Sequence, residues 1–214
     1  MLIDRYHEAI NSLLKTVRET QREKIIKAGE LVANAVENGN KVYLGHIVHG
    51  IEMDLVYRGG GPIFYKQYSE DIELKAGDVL FVSSVSGRTK SVVDLAWDAM
   101  QKGVTVIALT SMTYATQVEP VHESGKKLYE FVTLALDNCA PAAEAMLKVE
   151  GIEAYFAAAS GISSDYIMWS LTSVCVEKML ADGFTPGILK SANFPGGNDY
   201  NKTVVEPHYD EFGW

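Results

Sequence analysis

Short apolar, β-branched runs alternate with helical stripes along this chain, and that alternation restricts the fold more than any other feature. Val79-Leu80-Phe81-Val82-Ser83 reads as the clearest strand. Over 89–102, Val92, Val93, Ala96, Trp97 and Met100 recur at helical spacing, with Gly103 as the stop. A second strand over 104–110 follows. Lys41-Val42-Tyr43-Leu44-Gly45, Ile63-Phe64-Tyr65 and Thr133-Leu134-Ala135-Leu136-Asp137 read as three more strands. Residues near 50–58, 140–159 and 164–182 read as helices, the last closed by Gly183 and Pro186. Strands separated by helices form a parallel sheet covered on both faces. In such sheets a ligand sits beyond the carboxyl ends of the strands, near a switch in strand order.

The first 38 residues are different. Ile3, Tyr6, Ile10, Leu13, Leu14 and Val17, then Ile25, Ala28, Leu31, Val32, Ala35 and Val36, form a stripe with no Gly or Pro before Gly29. Gly39 and Asn40 supply a stop. A helix of about 36 residues spans about 54 Å, more than one small domain needs. Much of the stripe is expected to meet another subunit, the alternative being packing within its own domain.

With 214 residues, one domain over 1–214 is the expectation. Within it, 1–38 is a helical oligomerisation segment and 191–214 an irregular tail rich in Gly, Asn and aromatics. That tail either closes over a neighbouring site or is a disordered terminus. The 19 Lys and Arg against 28 Asp and Glu give a net charge of −9, which disfavours nucleic acid as a partner but allows a local anion pocket. Cys139 and Cys175 are too few and too far apart for a disulfide framework or a cysteine zinc site. They read as small buried hydrophobes and suit a cytoplasmic location. Met1-Leu2-Ile3-Asp4-Arg5 turns polar too early for a signal peptide, and no apolar run approaches the roughly 18 residues of a membrane span.

The densest chemistry lies in Ser83-Ser84-Val85-Ser86-Gly87-Arg88-Thr89-Lys90-Ser91, which leaves the best strand and opens the best helix. Hydroxyls and free amides at a helix N-terminus suit an anion such as phosphate. The competing reading is a bare helix cap, with Ser86 as the N-cap. One serine makes a cap, but five hydroxyl residues among nine exceed that need.

Ser84-Val85-Ser86-Gly87-Arg88-Thr89 resembles the S-x-S-G-x-T phosphate loop of SIS (sugar isomerase) domains, a family that includes phosphoheptose isomerase. The likeness extends to the long N-terminal helix, Gly45 after strand one, Ala108-Leu109-Thr110-Ser111, Leu136-Asp137-Asn138 and the last long helix. Glu123-Ser124-Gly125-Lys126-Lys127-Leu128-Tyr129 and Ser191-Ala192-Asn193 with Gly196-Gly197 are similar to a bacterial branch of the family. The resemblance implies a three-layer α/β/α sandwich with a five-stranded parallel, flavodoxin-like sheet. It also implies a sugar phosphate on Ser84, Ser86 and Thr89, in a homodimer or homotetramer with sites at the interfaces. The loop after strand one, Gly45-His46-Ile47-Val48-His49-Gly50, lacks the family's usual serine, so a sulfonated hexose competes with a sugar phosphate.

Isomerisation of an aldose needs a base for the C1–C2 proton transfer, an acid that opens the ring and a donor for the enediolate oxygen. Candidate catalytic residues are Glu52, Asp54, His122 and Glu144. Glu52 ranks first for its reach and place after strand one, and His122 is a candidate ring opener. Candidate substrate contacts are Gly45, His46, His49, Ser84, Ser86, Arg88, Thr89, Ser111, Lys126 and Asn138. His46 and His49 read equally as polar loop residues, and more remotely as ligands of a divalent metal. No cofactor is expected. The rival function is a non-catalytic phosphosugar sensor or scaffold; a lyase or etherase on an amino-sugar phosphate is a third.

Overall fold

The structure, a computed structural model, describes residues 1–45 and 47–208. Five strands form one parallel sheet: β1 (Val42–Leu44), β2 (Tyr65–Gln67), β3 (Val79–Ser83), β4 (Thr105–Thr110) and β5 (Leu134–Asp137), ordered β2-β1-β3-β4-β5. All five expected strands form; the second starts two residues later than its apolar run, because Ile63 and Phe64 pack in the core ahead of the ladder. The order reverses between β1 and β3, and the first element after each lies at the switch point.

Helices cover both faces. On one side lie α1 (Leu2–Glu37) and α5 (Ser160–Ala181), burying Val32, Val36, Ile167, Met168 and Leu171 with Leu44, Phe81 and Leu109. On the other lies α3 (Lys90–Gln101), whose Val92, Val93 and Ala96 pack on Leu80, Val82 and Val106. The strands alternate between these two cores, the period-two signature of a sheet buried on both faces. Short helices α2 (Glu52–Leu55), α4 (Met112–Ala115) and α6 (Gly197–Tyr200) complete the set.

One expected helix is absent. Residues 140–159 instead carry an antiparallel pair, β6 (Ala145–Leu147) and β7 (Phe156–Ala158). Gly151, at φ +81°, makes the turn between them, and Ile152 N–H closes it on Val149 C=O at 3.2 Å. The alanines of this stretch favour a helix, but tertiary pairing overrides that preference. Just before the tail, 187–189 pairs with 60–63, and within it α6 runs into helical turns over 201–208.

Candidate functional site

The loop leaving β3 wraps tightly on itself. Ser84 is buried; its Oγ lies 2.8 Å from Thr89 Oγ1 and accepts Thr89 N–H at 3.2 Å. Gly87, at φ +66°, turns the chain, with its N–H on Ser84 C=O at 2.9 Å. A Cβ there would come within 3.2 Å of Thr110 Oγ1, so the backbone needs glycine twice over. Leu128 N–H bonds to Gly87 C=O and fixes the loop from behind. The N-cap of α3 is Thr89, not Ser86, and no side chain caps it. Among the described residues, no acceptor holds the amide N–H of Ser86, Arg88, Lys90 or Ser91. The result is a nest of hydroxyls and open amides at the positive end of a 12-residue helix, the physical form of an anion site.

Gly45 closes β1 beside this nest. Its N–H bonds to Phe81 C=O at 2.8 Å, and a Cβ would strike that oxygen at the same distance. His46 lies outside the described residues. His49, at φ +66°, reaches Glu144, with Nε2 3.5 Å from Oε1. That carboxylate oxygen also accepts Ser160 Oγ–H at 2.9 Å. Glu144 follows β5 and has φ +70°, between Ala143 at +59° and the start of β6. Non-glycine residues held in that region mark strain that the surrounding fold must support. Ser160 opens α5, and sequence alone gave it no role, because 140–159 read as one continuous helix.

The other candidates separate. Asp54 accepts Trp169 Nε1–H at 2.8 Å and pairs with Arg58, so both its oxygens are engaged. Glu52 keeps Oε2 buried with no hydrogen-bond partner. His122 is buried against Trp97 on the α3 side; its Nδ1 meets Ser124 Oγ at 2.6 Å and its Nε2 lies 3.4 Å from Asp94. Lys126 stands over the Trp97 ring on that same outer side. Arg88 gives its guanidinium to Glu119 C=O at 3.1 Å. Ser111 and Asn138 are buried and spent on the fold: Ser111 Oγ bonds to Ala140 C=O at 2.6 Å, and Asn138 Nδ2 to Ser164 Oγ at 3.2 Å. The structure therefore gathers Ser84, Ser86 and Thr89 on one loop and pairs His49 with Glu144. It commits His122, Arg88, Ser111 and Asn138 to contacts of their own. No group of three or more metal-ligating side chains occurs among the described residues.

Comparison with known proteins bears on the fold and the family of the chain. The SIS domain family matches residues 5–63 and 59–111. A UPF0309 protein of Shouchella clausii is 32% identical over 96% of both chains, and one of Oceanobacillus iheyensis is 31% identical over the same shares. Among solved structures, phosphoheptose isomerase from Neisseria gonorrhoeae superposes with a TM-score of 0.55 at 15% identity, covering 81% of this chain and 94% of its own. The Vibrio vulnificus NanR protein complexed with ManNAc-6P gives 0.54 at 16% identity, covering 97% of this chain and 69% of its own. An Escherichia coli protein in complex with another sugar phosphate gives 0.52 at 16%, covering 86% and 91%. At those identities the structural likeness speaks for the fold, while the family match and the UPF0309 relatives settle descent: this chain belongs to the SIS domain family.

Proposed function

We propose that the protein is an aldose–ketose isomerase acting on an anionic sugar through an enediol. The observation that carries this reading is the nest at the start of α3, where Ser84 and Thr89 are already hydrogen-bonded to each other and the Ser86 hydroxyl bonds to nothing among the described residues. A phosphate or sulfonate would take its donors from Ser84, Ser86, Thr89 and the open amides. The two sugar-phosphate complexes of similar fold support a small sugar phosphate as the ligand. The absence of a hydroxyl from 45–50 leaves one side of the nest poorer in donors, which keeps a singly charged sulfonate as the competing anion. The protein is read as a homodimer or homotetramer with its sites at the interfaces, and without a redox cofactor.

Glu52 is our choice for the base at C1 and C2. It follows β1 at the switch point, and its buried, unpartnered oxygen leaves a lone pair for a substrate proton. Asp54, one of the rivals, has both oxygens taken. The test combines calorimetry with hexose 6-phosphates and a 6-sulfonated hexose, and NMR detection of C2-proton exchange in deuterated water. Ser86→Ala is expected to weaken binding at least about tenfold, the loss of one charge-assisted hydrogen bond, with an unchanged melting temperature. Thr89→Val should weaken binding similarly and lower stability as well, since Thr89 also holds Ser84. Glu52→Gln should cut exchange by at least about 10²-fold while the sugar still binds. Binding without exchange in the wild type would leave a phosphosugar sensor.

A further inference from the structure

We propose that His49, held by Glu144 and Ser160, is the residue that opens the sugar ring; this rests on the isomerase reading above. The strand order carries the inference. His49 leaves β1 and Glu144 follows β5, and those strands stand three places apart, about 14 Å at ordinary strand spacing. The two side chains meet at 3.5 Å beside the first turn of α5, where a Cβ on Gly161 would lie 3.9 Å from His49 Cβ. The anion nest begins at the end of β3, and in a parallel sheet the loops after β1, β3 and β5 all leave at the same carboxyl-end rim.

The hydrogen bonds set a direction. Ser160 Oγ–H donates to Glu144 Oε1, and Ala159 N–H donates to Glu144 C=O at 2.9 Å. Both of those residues lie at the N-terminus of the 22-residue α5, which favours a negative side chain. Glu144 Oε1 stands 3.5 Å from His49 Nε2, and a carboxylate at that distance favours a proton on Nε2, with Nδ1 as the lone-pair nitrogen. Among the described residues Nδ1 has no partner, and the side chain is 51% exposed, open to a ligand. The 3.5 Å separation is long, as catalytic contacts often are before substrate binds. His49 and Glu144 both sit in the left-handed region, a cost that the fold keeps at this point.

The chemistry follows from that nitrogen. Nδ1 takes the O1–H proton of the hemiacetal as the bond from C1 to the ring oxygen breaks, C1–O1 becomes the carbonyl, and the imidazolium returns one proton to the freed ring oxygen. Atoms and charge balance with no co-reactant. Glu144 and Ser160 act through His49 and are positioning residues. His122, engaged by Ser124 and Asp94 on the α3 side, is replaced in this role.

The test uses the full-length protein and two kinds of probe in deuterated water. Glucose 6-phosphate, arabinose 5-phosphate and 6-deoxy-6-sulfoglucose close into rings; erythrose 4-phosphate, with O4 esterified, cannot. His49→Asn and Glu144→Gln are expected to slow C2 exchange of the ring-forming sugars at least about tenfold through kcat, with KM little changed. Exchange of erythrose 4-phosphate should stay within about twofold of wild type, because that step needs no ring opening. Ser160→Ala should show a smaller loss of the same kind, and Ser160→Thr should restore it. Should Glu144→Gln fail to fold, the exposed His49→Asn decides. Equal losses on both kinds of probe, or none on either, overturn the assignment and leave the isomerase standing. A wild type that binds these sugars yet exchanges no C2 proton, or only that of the tetrose, overturns it as well; the complete absence of exchange also removes the isomerase reading.

Discussion

Asp165, on the face of α5 near α2, keeps Oδ1 buried without a hydrogen bond. Burial raises its pKa above the usual 3.8, and Arg58 only partly offsets this. A carboxyl raised in the fold costs stability when ionised. The cost is absent below the unfolded pKa near 3.8, grows as pH rises through the folded value, and is complete above it. Asp165→Asn is therefore expected to raise the melting temperature at pH 7, by no more than about 3 °C because the group is only partly buried. The gain should vanish as pH falls toward 4. A pH series of melting curves checks this, and a gain independent of pH would rule out the ionisation argument. The thiols follow the same physics: burial pushes Cys139 up to about 11 and Cys175 to about 12, so both stay protonated and unreactive at neutral pH.

Between elements, α1 and α5 approach each other closely. A Cβ on Gly29 would lie 2.7 Å from both Leu171 C=O and Val174 Cβ, so only glycine lets the two helices meet there. Gly29→Ala gains helix propensity but forces this contact apart, and overpacking costs about 1–3 kcal/mol. Since 1 kcal/mol shifts melting by about 2–4 °C in a chain of this size, a drop of several degrees is expected. A rise would mean that the helices separate freely. In the sequence Gly29 is only a lone interruption of a helical stripe, and nothing local says that a second helix crosses it. The strands and long helices were legible because their periodicity is local. So was the anion loop, because its hydroxyls are consecutive. The β6–β7 pair was not legible, since its alanines favour helix and only the Gly151 turn points the other way. Nor was the His49–Glu144 contact, which joins residues 95 positions apart (144 minus 49) through strand order alone.

At the scale of the whole molecule, α1 divides into two halves with different surroundings. From Ile25 to Val36 its buried residues lie in the main core, against α5 and the sheet. Before Leu13 no residue is buried: Ile3 is 68% exposed, and Leu2 and Tyr6 are also open. These three face a cavity of about 470 Å³ shared with Phe156, Ala157 and Ala158 of β7. Four large apolar groups gathered on one surface, at the end of a helix longer than the sheet it covers, are what a subunit contact requires. Removing 1–38 would test this badly, because it would also strip Val32, Val36 and their neighbours from the core. Leu2→Ser, Ile3→Ser and Tyr6→Ser together change only exposed positions and should leave the monomer fold intact. The intact chain is expected to sediment as a dimer or tetramer at micromolar concentration, and the triple variant to dissociate at concentrations where the wild type does not. A wild type that sediments as a monomer would remove the oligomer from the proposal. An oligomer indifferent to the three serines would move the contact elsewhere, to the α1–α5 groove lined by Leu14, Arg18 and Tyr166.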